Sequence, residues 1–374
     1  MMKILFTGGG TGGHILPLVA VARELQKTAQ KDQLKLFYLG PHDNFNELLL
    51  AQEGIRVKNA MAGKVRRYFG PLALLQNLLD VFFKIPFGFL QAFLKLAFIG
   101  PDLILSKGGY GALPTTLAAW VLRIPVFLHE SDSIPGKANQ IASMFALKIF
   151  TSFPRTLSLS PKKTILVGNP IRTALLEGSK EEAKTVFNLQ EGKPVVLVLG
   201  GSQGAQKIND AVLSILNQLT ENFEVIHQTG EHNFSQVFSE AKAVLAQGNE
   251  KYYHAFAFLK EPELRHAFAA ADIIVARAGS GSIFEIAALG KPSILVPLSS
   301  AAQNHQARNS YEYQKSGACA VLEEANLTPH FFLEKLKYLA SSPKEMQTMS
   351  QAALNFAKPE AASTIAQYLL EYLK

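Results

Sequence analysis

The sequence predicts an α/β protein built as two Rossmann-like domains, each a parallel sheet wrapped in helices. Three observations predict it. Short apolar runs alternate with amphipathic stretches of roughly ten to twenty residues from end to end, the pattern of βαβ units whose strands are buried on both faces. The runs form two series, and each opens with a strand entering a glycine-rich turn, Gly8–Gly13 in the first and Gly200–Ala205 in the second. At 374 residues the chain is also too long for one small core.

In order, the first series of strands is Lys3–Phe6, Lys35–Leu39, Asp102–Leu105, Pro125–Leu128, Lys148–Phe150 and Thr164–Val167. The second is Pro194–Leu199, Phe223–His227, Tyr252–Phe256, Asp272–Val275, Pro292–Val296 and Ala318–Val321. Between them, Val167–Arg172 and the charged stretch Glu177–Lys184 read as the linker region. The expected domains are therefore 1–165 and 166–356, with a last helix, 357–374, able to pack back on the first domain. Open parallel sheets bind ligands at the carboxyl ends of their strands, so a cleft between two facing sheets is the expected active site.

Composition narrows the class. The chain is 48% hydrophobic and 18% charged, which excludes a disordered protein. Its net charge of +7 suits an anionic partner. The single cysteine, Cys319, excludes an internal disulfide and reads as a small buried residue of a reducing compartment. The first residues already form a strand, so no signal peptide is expected. The positive charge is uneven. Between Lys58 and Gly100 lie six basic residues (Lys58, Lys64, Arg66, Arg67, Lys84, Lys95), one acidic residue (Asp80) and many leucines and phenylalanines. No uninterrupted apolar run there reaches bilayer length. Asn77, Asp80, Lys84, Gln91 and Lys95 recur at helical spacing and leave a wide apolar face. The stretch is either a core helix pair or a surface that dips into an anionic membrane. The dense mixing of basic and bulky apolar residues favours the membrane.

Five glycines in Gly8–Gly13 let backbone amides approach a ligand, and the helix behind them offers unpaired donors and a partial positive charge. A dinucleotide site would need an acid closing the second strand, but that strand ends Leu39-Gly40-Pro41. A nucleoside-triphosphatase loop needs Lys-Ser/Thr where His14-Ile15 stands. His14 either caps the helix or hydrogen-bonds a neighbouring loop, or it takes a proton from a substrate hydroxyl; the open space beside it favours the last. Ser106–Gly111 is a second glycine turn at a strand's carboxyl end, either a tight turn or a cradle for an acceptor diphosphate. Glu130 and Asp132 follow another strand and act as acid, base or orienting groups, or cap the next helix. In the second series Gly200–Gly204 and Arg277–Glu285 are glycine turns suited to a nucleotide, and Asn304-His305-Gln306 lines the same rim. No Cys/His metal spacing and no Asp-x-Asp occurs.

Taken together, Gly9–His14, Gly63–Tyr68, Lys107–Tyr110, Gly168–Arg172, Gly200–Ala205, Arg277–Glu285 and His305-Gln306 resemble, in order, the motifs of the MurG family. These are GT-B glycosyltransferases of family 28. The resemblance implies two Rossmann-like domains facing across a cleft and an inverting transfer of N-acetylglucosamine from UDP-GlcNAc to the 4-hydroxyl of undecaprenyl-diphospho-MurNAc-pentapeptide (lipid I), giving lipid II for peptidoglycan. Another GT-B enzyme, a glycolipid synthase or a UDP-GlcNAc epimerase, is the alternative. The resemblance implies no cofactor, no metal and no nucleic acid. Expected partners are UDP-GlcNAc, lipid I, the anionic cytoplasmic face of the inner membrane as a peripheral site, and proteins of cell-wall synthesis and division. By motif, His14 and Glu130 are the catalytic candidates. Thr11, Gly12, Gly13, Asp132, Arg172, Ser202, Gln203, Leu259, Ser282, Glu285 and Gln306 are candidates for UDP-GlcNAc, and Gly108, Gly109, Tyr110 and Asn139 for the acceptor. The chain departs from the family at His129-Glu130-Ser131-Asp132, where His-Glu-Gln-Asn is usual. An aspartate there loses an N–H donor and gains a charge.

Overall fold

A computed structural model of the chain describes residues 1–9, 12–29, 33–63, 77–78, 80–156, 158–201 and 204–374. Thr11, Ser202, Gln203, Lys64, Arg66 and Arg67 lie outside the described residues. The chain divides into two compact units, Met1–Ile171 with Pro359–Lys374, and Arg172–Lys358.

The first unit is a parallel seven-stranded sheet. Its strands are β1 (Met2–Thr7), β2 (Leu34–Gly40), β3 (Arg56–Asn59), β4 (Leu103–Ser106), β5 (Val126–Glu130), β6 (Lys148–Thr151) and β7 (Thr164–Leu166), in the order β3-β2-β1-β4-β5-β6-β7. β4 and β5 are buried at every residue, as strands covered on both faces must be. One face carries α1 (Gly12–Thr28) and α2 (Asn44–Gln52). The other carries α3 (Ile85–Ile99), α4 (Leu113–Val121) and α5 (Lys137–Phe145). β3 escapes the sequence reading because it is an edge strand of alternating exposed and half-buried residues, with no apolar run to mark it.

α3 inverts the usual amphipathic logic. Its polar positions face the protein: Met61 N donates to Gln91 Oε1 at 2.9 Å, Lys95 Nζ donates to Asn59 O, and Asp80 just before the helix is buried. Ala92 and Leu96 pack on Leu5 and Ile104 of the sheet and on Ala118 of α4, and Gly88 lies against the Met61 backbone. Phe82, Phe83, Phe87, Leu90, Leu94 and Phe98 point outward, Phe98 at 94% exposure. The expectation that no stretch reaches bilayer length needs correction. Phe82–Ile99 is one continuous helical stretch of 18 residues with mean hydropathy 1.5, long and apolar enough to cross a membrane by length and composition. Lysines and a glutamine break the run in the sequence, but they do not break the helix. Its inner face remains a layer of the first unit.

The second unit is a parallel six-stranded sheet of β8 (Val195–Leu199), β9 (Glu224–Gln228), β10 (Tyr253–Phe256), β11 (Ile273–Ala276), β12 (Ser293–Leu295) and β13 (Cys319–Val321), ordered β10-β9-β8-β11-β12-β13. The segment read as a charged linker instead forms helix α6 (Lys180–Phe187), capped by the Ser179 hydroxyl on Glu182 N at 3.2 Å. It packs on α10 (Glu261–Ala270), which lies beyond α7 (Gln206–Ser214), α8 (Leu216–Asn222) and α9 (Phe234–Val244). The remaining helices are α11 (Ser280–Ala288), α12 (His305–Gln314), α13 (Pro329–Ala340), α14 (Pro343–Phe356) and α15 (Ala361–Tyr372).

α15 returns to the first unit and lies on α1. Phe127 of β5 and Phe150 of β6 stack at 6.2 Å, and the ring of Tyr368 meets their edges at 5.9 and 5.4 Å. Both phenylalanines are fully buried; truncating either to Ala costs about 3–5 kcal/mol.

Candidate active site

In each sheet the strand order reverses between the first strand and the fourth, so the crevice of each lies beyond β1 and β4, or beyond β8 and β11. The glycine turns of the sequence stand at those ends.

In the first unit, the turn after β1 is braced from β2. Thr7 Oγ1 donates to Leu39 O at 2.6 Å and Tyr38 OH to Gly8 O at 2.7 Å. Burial, with the charge of Asp43 added, pushes the Tyr38 phenol up, so it stays a donor. His14 stands half-buried near the start of α1. Its ring lies against the turn after β4, because a Cβ on Gly109 would stand 3.0 Å from His14 Nε2 and 3.1 Å from Gly9 O. Gly108 and Gly109 have φ of 81° and 79°, which glycine adopts without strain. A Cβ on Gly108 would also strike the Asn139 amide. Tyr110 begins a short 3₁₀ turn, Tyr110–Ala112.

Glu130 ends β5 and is buried. Its Oε1 accepts Asp132 N at 2.9 Å and its Oε2 accepts Asn139 Nδ2 at 2.7 Å. Asn139 Oδ1 in turn accepts Gly109 N at 2.9 Å. These bonds account for both Glu130 oxygens, so Glu130 is not the cap of the next helix, α5, which is preceded by Gly136. Burial, then the charge of Asp132, raises the Glu130 carboxyl well above its ordinary range. The structure thus brings together His14, Gly108, Gly109, Asn139 and Glu130, with Asp132 bonded to Glu130 through its amide. Lys107, the first residue of the Lys107–Tyr110 motif but not itself a candidate, joins them, fully buried with its ammonium on Ser131 Oγ.

In the second unit, Gly204 (φ 80°) closes the turn after β8 where a Cβ would strike Thr229 O. Thr229 is held from below by neutral groups. Asn209 Nδ2 donates to its carbonyl at 3.0 Å, and Asn209 Oδ1 pairs with His227 Nε2 at 3.0 Å. Tyr253 OH lies 2.9 Å from His227 Nδ1. Burial pulls His227 down to about 3, so the ring is neutral. Nε2 then donates to Asn209 and Nδ1 accepts from Tyr253. Gln228 ties two turns together: its amide donates to Gly201 O at 3.3 Å and accepts Leu259 N at 3.0 Å. Leu259 itself is buried.

Arg172 and Glu285, assigned separately by motif, form a fork. Arg172 Nε donates to Glu285 Oε1 at 3.0 Å and Nη2 to Oε2 at 3.2 Å. Two parallel bonds of this kind fix both planes. Ser282 lies in the first turn of α11, whose N-cap, Gly279, offers no side-chain cap to the amides there. Gln306 Oε1 accepts Leu298 N at 3.0 Å. The same loop is anchored by Glu324, which accepts from the amide and hydroxyl of Ser299 and from Arg277 Nη2 at 2.7 Å. Partial burial alone would raise the Glu324 carboxyl; the Ser299 and Arg277 hydrogen bonds outweigh it and pull it down to about 2. Lys107, Gln228 and Glu324 were missed by sequence reasoning. Gln228 and Lys107 both carried a signal, as polar residues at a strand's carboxyl end.

The chain matches the glycosyltransferase family 28 N-terminal domain over residues 4–151 and the family 28 C-terminal domain over residues 195–365. A protein of Bacillus cereus, the UDP-N-acetylglucosamine–N-acetylmuramyl-(pentapeptide) pyrophosphoryl-undecaprenol N-acetylglucosamine transferase 2, is 34% identical over 99% of this chain and 100% of its own. The transferase of Shouchella clausii is 36% identical over 100% and 99%. Among solved structures, MurG of Acinetobacter baumannii has TM-score 0.74 at 23% identity, covering 99% of this chain and 100% of its own. A UDP-GlcNAc 2-epimerase of Neisseria meningitidis has TM-score 0.69 at 18% identity, over 99% and 100%. Those two likenesses show the GT-B fold. With relatives above 30% identity matching along both units, the chain belongs to glycosyltransferase family 28, among its MurG N-acetylglucosamine transferases.

Proposed function

We propose that this chain transfers N-acetylglucosamine from UDP-GlcNAc to the 4-hydroxyl of the muramyl sugar of undecaprenyl-diphospho-MurNAc-pentapeptide, with inversion. The observation that carries the proposal is 34% identity over 99% of the chain with an enzyme of that name. The muramyl oxygen attacks the anomeric carbon, the carbon–oxygen bond to UDP breaks, and the hydroxyl proton passes to His14. Glu130, with both oxygens already engaged, supports the acceptor turn through Asn139; Gly108, Gly109 and Tyr110 face the acceptor. Charge growing on the leaving UDP is stabilised by the amides of the Gly200–Gly204 turn and of α11, and by Arg172. A well-placed donor of this kind contributes roughly 3 kcal/mol in the transition state. Glu285 holds the ribose, Ser282 a phosphate and Gln306 the sugar hydroxyls. The Leu259 backbone borders the uracil. Thr11, Ser202 and Gln203 complete the donor set, with Gly12, Gly13 and Asp132 near the sugar.

The outward apolar face of α3 and its approach rest on the cytoplasmic leaflet of the membrane as a peripheral contact, where the lipid-linked acceptor resides. Its location and any partners in cell-wall synthesis and division belong to the same proposal.

Incubation with UDP-GlcNAc alone tests the reading against an epimerase. The expected result is nucleotide binding by calorimetry with the sugar unchanged by NMR. Conversion to the 2-epimer without acceptor would overturn it.

A further inference from the structure

Lys107 is held from both ends. Its backbone N–H donates to Thr7 O at 2.7 Å, which fixes it between β1 and β4. Its ammonium, at 1% exposure, donates to Ser131 Oγ and lies in the field of Glu130 and Asp132. A buried ammonium costs several kcal/mol unless it is paired. Two neighbouring carboxylates likewise oppose each other's ionisation. The three side chains therefore compensate one another.

The orientation of Asn139 depends on that compensation. An ionised carboxylate only accepts hydrogen bonds. It obliges the Asn139 NH₂ to face Glu130 and leaves Oδ1 for Gly109 N. A protonated Glu130 carries a donor of its own and removes the obligation. Gly109 is the residue whose backbone borders His14.

We propose that Lys107 is a positioning residue for the transfer: its ammonium is the counter-ion that holds Glu130 and Asp132 together, and through Asn139 it fixes the Gly108–Gly109 turn beside His14. The proposal rests on the reading of His14 as the base. The charged and titratable groups around Glu130 are Lys107 from the end of β4, Asp132 on the segment after β5, and His129 beside it. His129 Nε2 lies 3.0 Å from Gly168 O, and burial, reinforced by the Lys107 charge, keeps that ring neutral. From α5 the facing group is the neutral Asn139.

The test compares the full-length wild type with Lys107→Met, Lys107→Arg and Asp132→Asn. Two quantities are read: the pH profile of acceptor kcat/KM, and the exchange rate of the Gly109 amide by NMR. Lys107→Met is expected to move the acid limb to higher pH by about one unit or more, and Asp132→Asn to move it to lower pH. Lys107→Arg is expected to restore the wild-type limb. Gly109 exchange should quicken roughly tenfold in Lys107→Met and return in Lys107→Arg, reporting loss of one hydrogen bond. Unmoved limbs with a lower plateau, or limbs that move the same way, would overturn the proposal, as would unchanged Gly109 exchange. Should Lys107→Met fail to fold, the direction of the Asp132→Asn limb decides. Should the wild type transfer no sugar, the functional reading fails while Gly109 exchange still judges the network.

Discussion

The two sheets present glycine turns at the same topological position, yet the groups behind those turns differ in kind. In the first unit the brace is charged and buried: Lys107, Glu130 and their amide relay through Asn139 to Gly109. In the second unit the deeply buried brace is neutral: His227, Asn209 and Thr229 under Gly204. The charges nearest its turns are paired one to one, in the Arg172–Glu285 fork and the Arg277–Glu324 ion pair. The contrast teaches where each unit can change. A one-to-one pair such as Arg172–Glu285, still 11% and 13% exposed, can exchange one partner for a ligand's phosphate or diol. A buried charge set cannot, and it serves to hold geometry.

The sharpest way to break this contrast is His14→Ala. Loss of a general base lowers kcat roughly 10²–10⁴-fold. Calorimetry should show UDP-GlcNAc binding unchanged, because the nucleotide's main partners are assigned to the second unit. Wild-type turnover in the variant would remove His14 from the chemistry.

Glu285→Gln is the matching perturbation on the donor side. It frees Arg172 and leaves a weaker acceptor for the ribose, so the UDP-GlcNAc KM should rise about tenfold or more while the acceptor KM holds. Steady-state kinetics with each substrate varied checks this. A rise in the acceptor KM alone would reverse the division of roles.

The exposed face of α3 belongs to the first unit alone. Replacing Phe82, Phe83 and Phe87 with Ser should cut partitioning onto anionic vesicles at least several-fold. UDP-GlcNAc affinity should not change. Flotation assays decide it, and undiminished partitioning would assign the face to another purpose.

The smallest effect concerns pH. Glu324 has a folded value pulled down to about 2, so its stabilising contribution is present above the unfolded carboxylate value of about 4.3 and is lost as pH falls toward 2. Glu130 is displaced upward, chiefly by burial. Its contribution is full below about 4.3 and is lost as pH rises through its raised value. Glu324→Gln should therefore flatten the acid limb of stability in the second unit, and Glu130→Gln the opposite trend in the first. Hydrogen exchange followed by mass spectrometry reads each unit separately across pH 2–8.

Much of this arrangement is legible in the sequence, for a physical reason. Parallel strands buried on both faces must be apolar throughout, so runs such as Val195–Leu199 announce themselves. Glycine turns mark strand ends, which is why Gly8, Gly108 and Gly204 could be placed; Gly108 and Gly204 have positive φ and no room for a Cβ. What resisted reading was every contact made across the chain. Arg172 and Glu285 are 113 residues apart, and Ser299 meets Glu324 across 25. The glycine turn places Lys107 at a strand's carboxyl end, but its burial against Ser131 depends on a contact 24 residues away. β3 was lost for a related reason: an edge strand owes its structure to its neighbour β2 rather than to its own pattern.

The measurement that bears most directly on the central claim is transfer of radiolabelled N-acetylglucosamine from UDP-GlcNAc to undecaprenyl-diphospho-MurNAc-pentapeptide by the purified chain on anionic vesicles. The account predicts label in the lipid fraction as a β-linked disaccharide. Label that stays with the nucleotide or appears as free sugar, from protein that still binds UDP-GlcNAc, would contradict it.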